Sequence, residues 1–72
     1  MKLTGSQFIQ LALIFPDLEP AEVAAMIKPE CLPTAAEVAA AAARELWGCH
    51  PHEVSALQSV HDWALGLVNV GL

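Results

Sequence analysis

The proline positions restrict this chain to short helical segments. Five prolines divide the sequence, at Pro16, Pro20, Pro29, Pro33 and Pro51. Proline lacks a backbone N–H and clashes with the preceding turn, so it is tolerated at a helix start and stops a helix that runs into it. The intervals between the prolines show helical periodicity and no strand-like alternation. The chain is therefore predicted to form about four short helices and no strands.

The first two segments carry recognisable helix signals. Thr4 and Gln7 have the spacing of a capping box, and Pro16 marks the far end of the first helix. This segment is apolar nearly all round, which is typical of a helix that is buried or covered by a partner. A second, shorter helix is predicted to begin at Pro20 and to have Lys28 in its last turn.

The third segment has the strongest helical signals in the chain. Thr34 and Glu37 form a second capping-box pattern, and an alanine-rich run follows from Ala35 to Trp47. Gly48 is placed for a C-terminal cap. Because alanine side chains are short, another helix can approach this one closely. Helix propensity alone also explains the alanines, and the sequence favours neither explanation.

The fourth segment, from about Pro51 toward Val70, has a narrow polar strip and two apolar flanks. On a helical wheel the strip covers roughly 100° and holds Ser55, Gln58, Ser59, Asp62, Gly66 and Asn69. One flank contains Val54, Leu57, Ala64, Leu65 and Val68, and the other contains Ala56, Val60, Trp63, Leu67 and Val70. One flank is expected to pack on its own domain and the other on a second molecule.

Length and composition favour self-association. The 72 residues predict one all-α domain spanning residues 1–72, a compact bundle packed as a homodimer. A chain this short buries only about 60% of its unfolded surface. Its hydrophobic content of 56% exceeds the usual share of about 45–50%. A second copy would cover the apolar excess.

Charge and segment length exclude several classes of partner. Three basic residues stand against eight carboxylates, for a net charge of −5, so nucleic acid is not expected as a ligand. No apolar run approaches the roughly 20 residues of a membrane span, and no signal-peptide cleavage pattern follows the N-terminus. A membrane-surface helix would need a basic polar face, which the last segment lacks. We therefore expect a cytoplasmic protein.

A cysteine and two histidines lie close together at Cys49, His50 and His52. Zinc sites use such residues, but a structural site needs four converging ligands. Cys31 lies beyond the other end of a helix roughly 20 Å long, so it could complete the set only across an antiparallel dimer. This metal-stabilised module is the alternative hypothesis. A nucleophilic Cys49 is disfavoured because it follows the negative end of a helix dipole, and no third orienting residue or glycine-rich oxyanion turn accompanies it.

A structural interpretation explains more of the same residues. Gly48 follows one helix and Pro51 begins the next. His50 then stands at the N-cap, with Glu53 three residues later able to reach back to its backbone. The segment is therefore predicted to be a tight corner between two helices.

The sequence favours a small non-enzymatic protein–protein interaction module. We expect a homodimer that regulates or inhibits another protein, as small bacterial and phage regulators do, and that needs no cofactor. Tryptophan is enriched among interface hot spots. The residues predicted to form the dimer or partner interface are Phe8, Val60, Trp63, Leu67 and Val70.

Overall fold

A computed structural model describes residues 2–70 of the chain. Its four α helices are α1 (Gly5–Ile14), α2 (Pro20–Ala25), α3 (Ala35–Leu46) and α4 (Val54–Asn69). Two short 3-10 turns, Pro29–Cys31 and Pro51–Glu53, precede α3 and α4. The predicted all-α architecture of four short helices is confirmed, and residues 2–70 contain no strand.

Local side chains fix the starts of α1 and α3. At α1 the Thr4 hydroxyl accepts a hydrogen bond from the Gln7 N–H at 3.1 Å, and Gln7 Oε1 accepts one from the Thr4 N–H at 2.9 Å. At α3 the Thr34 hydroxyl accepts from the Glu37 N–H at 3.1 Å. The Glu37 carboxylate instead lies 3.4 Å from Lys2 Nζ. The first capping box is therefore complete, and only half of the second forms.

Two helix ends differ from the sequence prediction. Helix α2 ends at Ala25, so Lys28 lies outside its last turn. Proline disfavours helical geometry in the residue before it, and Lys28, just before Pro29, is extended with φ −61° and ψ 137°. Helix α3 ends at Leu46, and Gly48 does not adopt the left-handed conformation of a glycine cap.

The core forms where α1 lies across the pair made by α3 and α4. The contact between α3 and α4 is the most extensive, and the short corner joining them places them side by side in opposite directions. Five of the eleven buried apolar residues among those described are alanines. The eleven are Phe8, Ile9, Ala12, Val23, Val38, Ala39, Ala41, Ala42, Leu57, Val60 and Ala64.

The first turn of α1 touches the backbone of α3. Gly5 is buried, and a Cβ atom built on it would overlap the Glu37 carbonyl oxygen and lie 3.0 Å from Ala41 Cβ. A missing side chain lets two backbones approach closely. Glycine at position 5 therefore sets the separation between α1 and α3.

Helix α4 buries the centre of its apolar side. Its buried residues are Leu57, Val60 and Ala64, which lie opposite the polar strip on the helical wheel. Leu65 and Val68 from one predicted flank are exposed, as is Val70 from the other. The prediction that one flank packs on the core and the other faces outward is thus corrected. Each flank contributes buried residues and exposed residues.

No helix within residues 2–70 combines the length and apolar character needed to cross a membrane. The longest, α4, has 16 residues, whereas a span requires about 20 predominantly apolar ones.

Candidate functional site

The segment with Cys49 and the two histidines forms the corner between α3 and α4. Pro51 occupies the first position of the 3-10 turn, and the His50 N–H donates to Glu53 Oε1 at 3.3 Å. The Cys49 thiol lies 3.9 Å from the Leu46 carbonyl oxygen. These contacts confirm the predicted corner, with His50 at the N-cap and Glu53 reaching back to its backbone.

The corner does not gather a set of metal ligands. The rings of His50 and His52 stack with centroids 5.4 Å apart and planes within 10°. Within the described part of the chain, no three His, Cys, Asp or Glu side chains converge as a metal would require. Cys31 and Cys49 are both free thiols. The zinc hypothesis therefore lacks a ligand set within a single chain over these residues, and its cross-dimer form stays a prediction.

We expect the thermal midpoint of the purified protein to be the same with and without EDTA. A structural zinc ion typically contributes about 10 kcal/mol or more to folding, so removing one would lower the midpoint by well over 10 °C. The check is a melting curve followed by circular dichroism, together with metal analysis of the untreated protein. Stoichiometric zinc and a large drop in EDTA would support the zinc hypothesis instead.

The predicted interface residues do not share one surface. Phe8 is 0% exposed and Val60 is 2% exposed, so both are core residues and the structure corrects their assignment to an interface. Trp63 is half-buried because its ring stacks on Phe8, with centroids 5.6 Å apart and planes 6° apart. Leu67 is half-buried, and Val70 is 72% exposed. The Phe8 ring stacks against Trp63 because α1 crosses α4 at that point.

Seven residues without a formal charge at neutral pH lie on the outer sides of α3 and α4, and we call this set the outer face. Its members are Ala36, Ala40 and Ala43 of α3, Trp47 at the C-cap of α3, and His61, Leu65 and Val68 of α4. Their spacings of three and four residues place each set on one side of its helix. Ala43, Trp47 and His61 line one depression, so the two sets adjoin.

Trp47 dominates the outer face. Its side chain is 92% exposed, although tryptophan is usually well buried in a folded protein. Beside it lies a depression of about 380 Å³, lined by Ala43, Leu46, Trp47 and His61. The sequence signal for this surface is the series 36, 40, 43 and 47. It lies on the side of α3 opposite the buried Val38 and Ala42, but it resembles a core stripe because every member is apolar.

A second recess, the α1–α4 groove, opens where α1, α2 and the start of α4 meet. It encloses about 570 Å³, within the range of about 300–1,000 Å³ typical of ligand sites. Ala12, Val60 and Trp63 provide apolar lining from α1 and α4. The α1–α2 connection and α2 contribute Pro16, Asp17, Leu18, Glu19, Pro20 and Ala21, and the opposite wall is His52, Ser55, Ala56 and Ser59.

The groove is acidic on one side and hydroxyl-lined on the other. Asp17 and Glu19 are exposed at the α1–α2 connection, and within residues 2–70 neither is paired with a basic side chain. No lysine or arginine lines the groove. The structure therefore presents two distinct recessed surfaces.

Comparisons of the chain with protein-family models, with curated proteins and with solved structures found no match.

Proposed function

We propose that this chain is a non-enzymatic protein–protein interaction module that acts as a homodimer and regulates or inhibits a partner protein. The observation that carries the proposal is the outer face, where a nearly fully exposed tryptophan lies among uncharged side chains. Large apolar side chains exposed on a folded protein often mark interaction sites. A cytoplasmic location stays a prediction.

The outer face is suited to a second copy of the same chain. A twofold dimer needs a surface that is complementary to itself, and here Trp47 lies beside the depression that could receive it. Two outer faces placed together would insert each Trp47 into the other copy's depression. The short side chains of Ala36 and Ala40 would allow the two α3 helices to approach closely.

A stable pair would need to bury only a modest fraction of the chain's surface. A standard interface buries about 800 Å² on each partner, which is about one sixth of this chain's 4724 Å² of accessible surface. A buried tryptophan alone contributes about 150–250 Å². Trp47, Leu65 and Val68, all exposed, would supply the apolar centre.

Truncating the Trp47 side chain should dissociate the dimer. We expect wild-type protein to elute at twice the chain mass of 7.6 kDa and Trp47→Ala to weaken dimerisation by about 30-fold or more, as removal of an interface hot spot does. Leu65→Asp should give monomer, because it would bury an unpaired carboxylate. Size-exclusion chromatography with light scattering over a dilution series measures both effects.

Val70→Asp serves as the matched control, since Val70 is also exposed but lies outside the outer face. This variant should remain dimeric, and circular dichroism should show unchanged helix content in all three variants. A wild-type mass of one chain, or a dimer indifferent to both Trp47→Ala and Leu65→Asp, would refute this dimer.

A dimer formed through the outer face would leave the α1–α4 groove open. Trp47 and His61 line the depression on one side of the bundle, whereas Asp17, His52 and Ser59 line the groove. The two recesses share no lining residue. The module could therefore self-associate through one surface and contact its regulated partner through another.

A further inference from the structure

We propose that the α1–α4 groove binds a basic amphipathic segment of a partner protein, with an apolar side chain against Trp63 and a lysine or arginine beside Asp17 and Glu19. The inference rests on the proposed interaction function and names the chemistry of the partner. It draws on the shape of the groove, the immobilised tryptophan and the distribution of charge.

The apolar lining of the groove is fixed before anything binds. The Trp63 ring stacks on the fully buried Phe8 at a centroid distance of 5.6 Å, which restricts its rotation. Val60, beside it, is itself a core residue. A preformed contact surface of this kind costs little ordering entropy when a partner binds. An apolar side chain would therefore find a rigid place to pack, and a cation could lie over the indole face.

Charge selects a basic partner over an acidic one. Asp17 and Glu19 line the groove, and none of Lys2, Lys28 and Arg44 does. The chain also carries a net charge of −5, so its overall field attracts cations and speeds their association. An anionic peptide or a nucleic acid would meet repulsion both at the groove and at long range.

The opposite wall favours a peptide over a simple polycation. Ser55 and Ser59 offer hydroxyl groups that both donate and accept hydrogen bonds. A polyamine would use the carboxylates but would leave the accessible part of the Trp63 ring without a partner. An amphipathic peptide matches both, as helices do when they bind in apolar grooves with charged rims.

The probe is a fluorescently labelled synthetic peptide of leucine and lysine, about 15 residues long so that it can form a helix. Fluorescence anisotropy measures its binding to the full chain. We expect Asp17→Asn with Glu19→Gln to weaken binding about three- to tenfold. We expect Ser59→Arg, which puts a bulky cation into the groove, to weaken it by about tenfold or more.

Matched variants distinguish binding at the groove from a general attraction of the peptide to the negatively charged chain. Gln58→Arg makes the same charge change one residue away, at an exposed position that does not line the groove. Glu30→Gln with Glu45→Gln removes two charges elsewhere on the chain. Both controls should bind the peptide within about twofold of wild type, because neither alters a residue that lines the groove and exposed charges that make no direct contact contribute little at physiological salt.

The fluorescence emission of Trp63 tests whether the bound peptide contacts this residue. The chain has two tryptophans, so Trp47→Phe leaves Trp63 as the single indole emitter. Peptide binding should shift or quench its emission. Unchanged Trp63 emission on saturation, equal binding of the corresponding leucine–glutamate peptide, or equal losses in the control variants would overturn the inference.

The proposed dimer and the proposed peptide binding at the groove are tested by separate measurements. Light scattering on the same samples reports self-association through Trp47 and Leu65, which lie outside the groove. A dimer that shows no binding of the leucine–lysine peptide would overturn the groove inference and leave the proposed dimer intact. Groove-dependent peptide binding by a monomer would support the inference and overturn the homodimer.

Discussion

Replacing Phe8 by alanine should lower the free energy of unfolding by about 3–5 kcal/mol. Phe8 is fully buried in the core, and its ring stacks on Trp63, so the variant loses both the buried area and the support for the indole. Total stability for a chain of this length is about 4–11 kcal/mol. Phe8→Ala should therefore remove about a quarter or more of it, measurable as a lower urea midpoint.

Phe15→Ala is the matched control, because it makes the same substitution at the other phenylalanine of the chain. Phe15 follows α1 and is 41% exposed, so its truncation should cost only about half as much as that of Phe8, roughly 1–2 kcal/mol. Near-ultraviolet circular dichroism should show loss of the Trp63 signal in Phe8→Ala and not in Phe15→Ala. Equal midpoints for the two variants would contradict the packing of α1 against α4.

Gly5→Ala should destabilise the protein by about 2–3 kcal/mol and lower the thermal midpoint by about 10–20 °C. Glycine to alanine within a helix ordinarily stabilises by about 0.5–1 kcal/mol. Here the added methyl group would overlap the Glu37 carbonyl oxygen, which belongs to the backbone of α3 and cannot rotate away. The two helices would have to separate, weakening the packing beneath them.

Gly66→Ala tests the same substitution where there is room. Gly66 lies in α4, is exposed, and has no side chain and no other helix within 4 Å of the position of a new Cβ, apart from its immediate chain neighbours. Its replacement should raise the thermal midpoint, since only the gain in helix propensity remains. Opposite signs for Gly5→Ala and Gly66→Ala are expected, and stabilisation by both would rule out the close contact between α1 and α3.

Helix starts could be predicted from the sequence because the interactions that form them are local. The bonds between Thr4 and Gln7, and between His50 and Glu53, join residues only three apart. Their pattern is therefore visible in the order of the residues. Helix ends were less predictable, because whether α2 continued to Lys28 depended on competition between its propensity and the proline that follows.

The arrangement of the surfaces could not be predicted from local signals. Phe8 and Val60 looked suitable for an interface because their helices are broadly apolar, and only the crossing of α1 over α4 buries them. Trp47 is exposed because it lies on the side of α3 opposite the buried Val38 and Ala42. Which side of α3 is buried depends on how α1 and α4 pack against it. The groove combines Asp17 and Ser59, residues far apart in the chain.

The alanine-lined core also determines how this sequence could vary over evolutionary time. Buried positions occupied by Ala39, Ala41, Ala42 and Ala64 touch neighbouring helices directly, so a larger side chain at any of them would overpack the interior. Larger core residues such as Ile9 can exchange with others of similar volume. Divergent relatives should therefore retain small residues at positions 5, 39, 41, 42 and 64 while their large side chains change, and a search profile weighted on these positions should detect them.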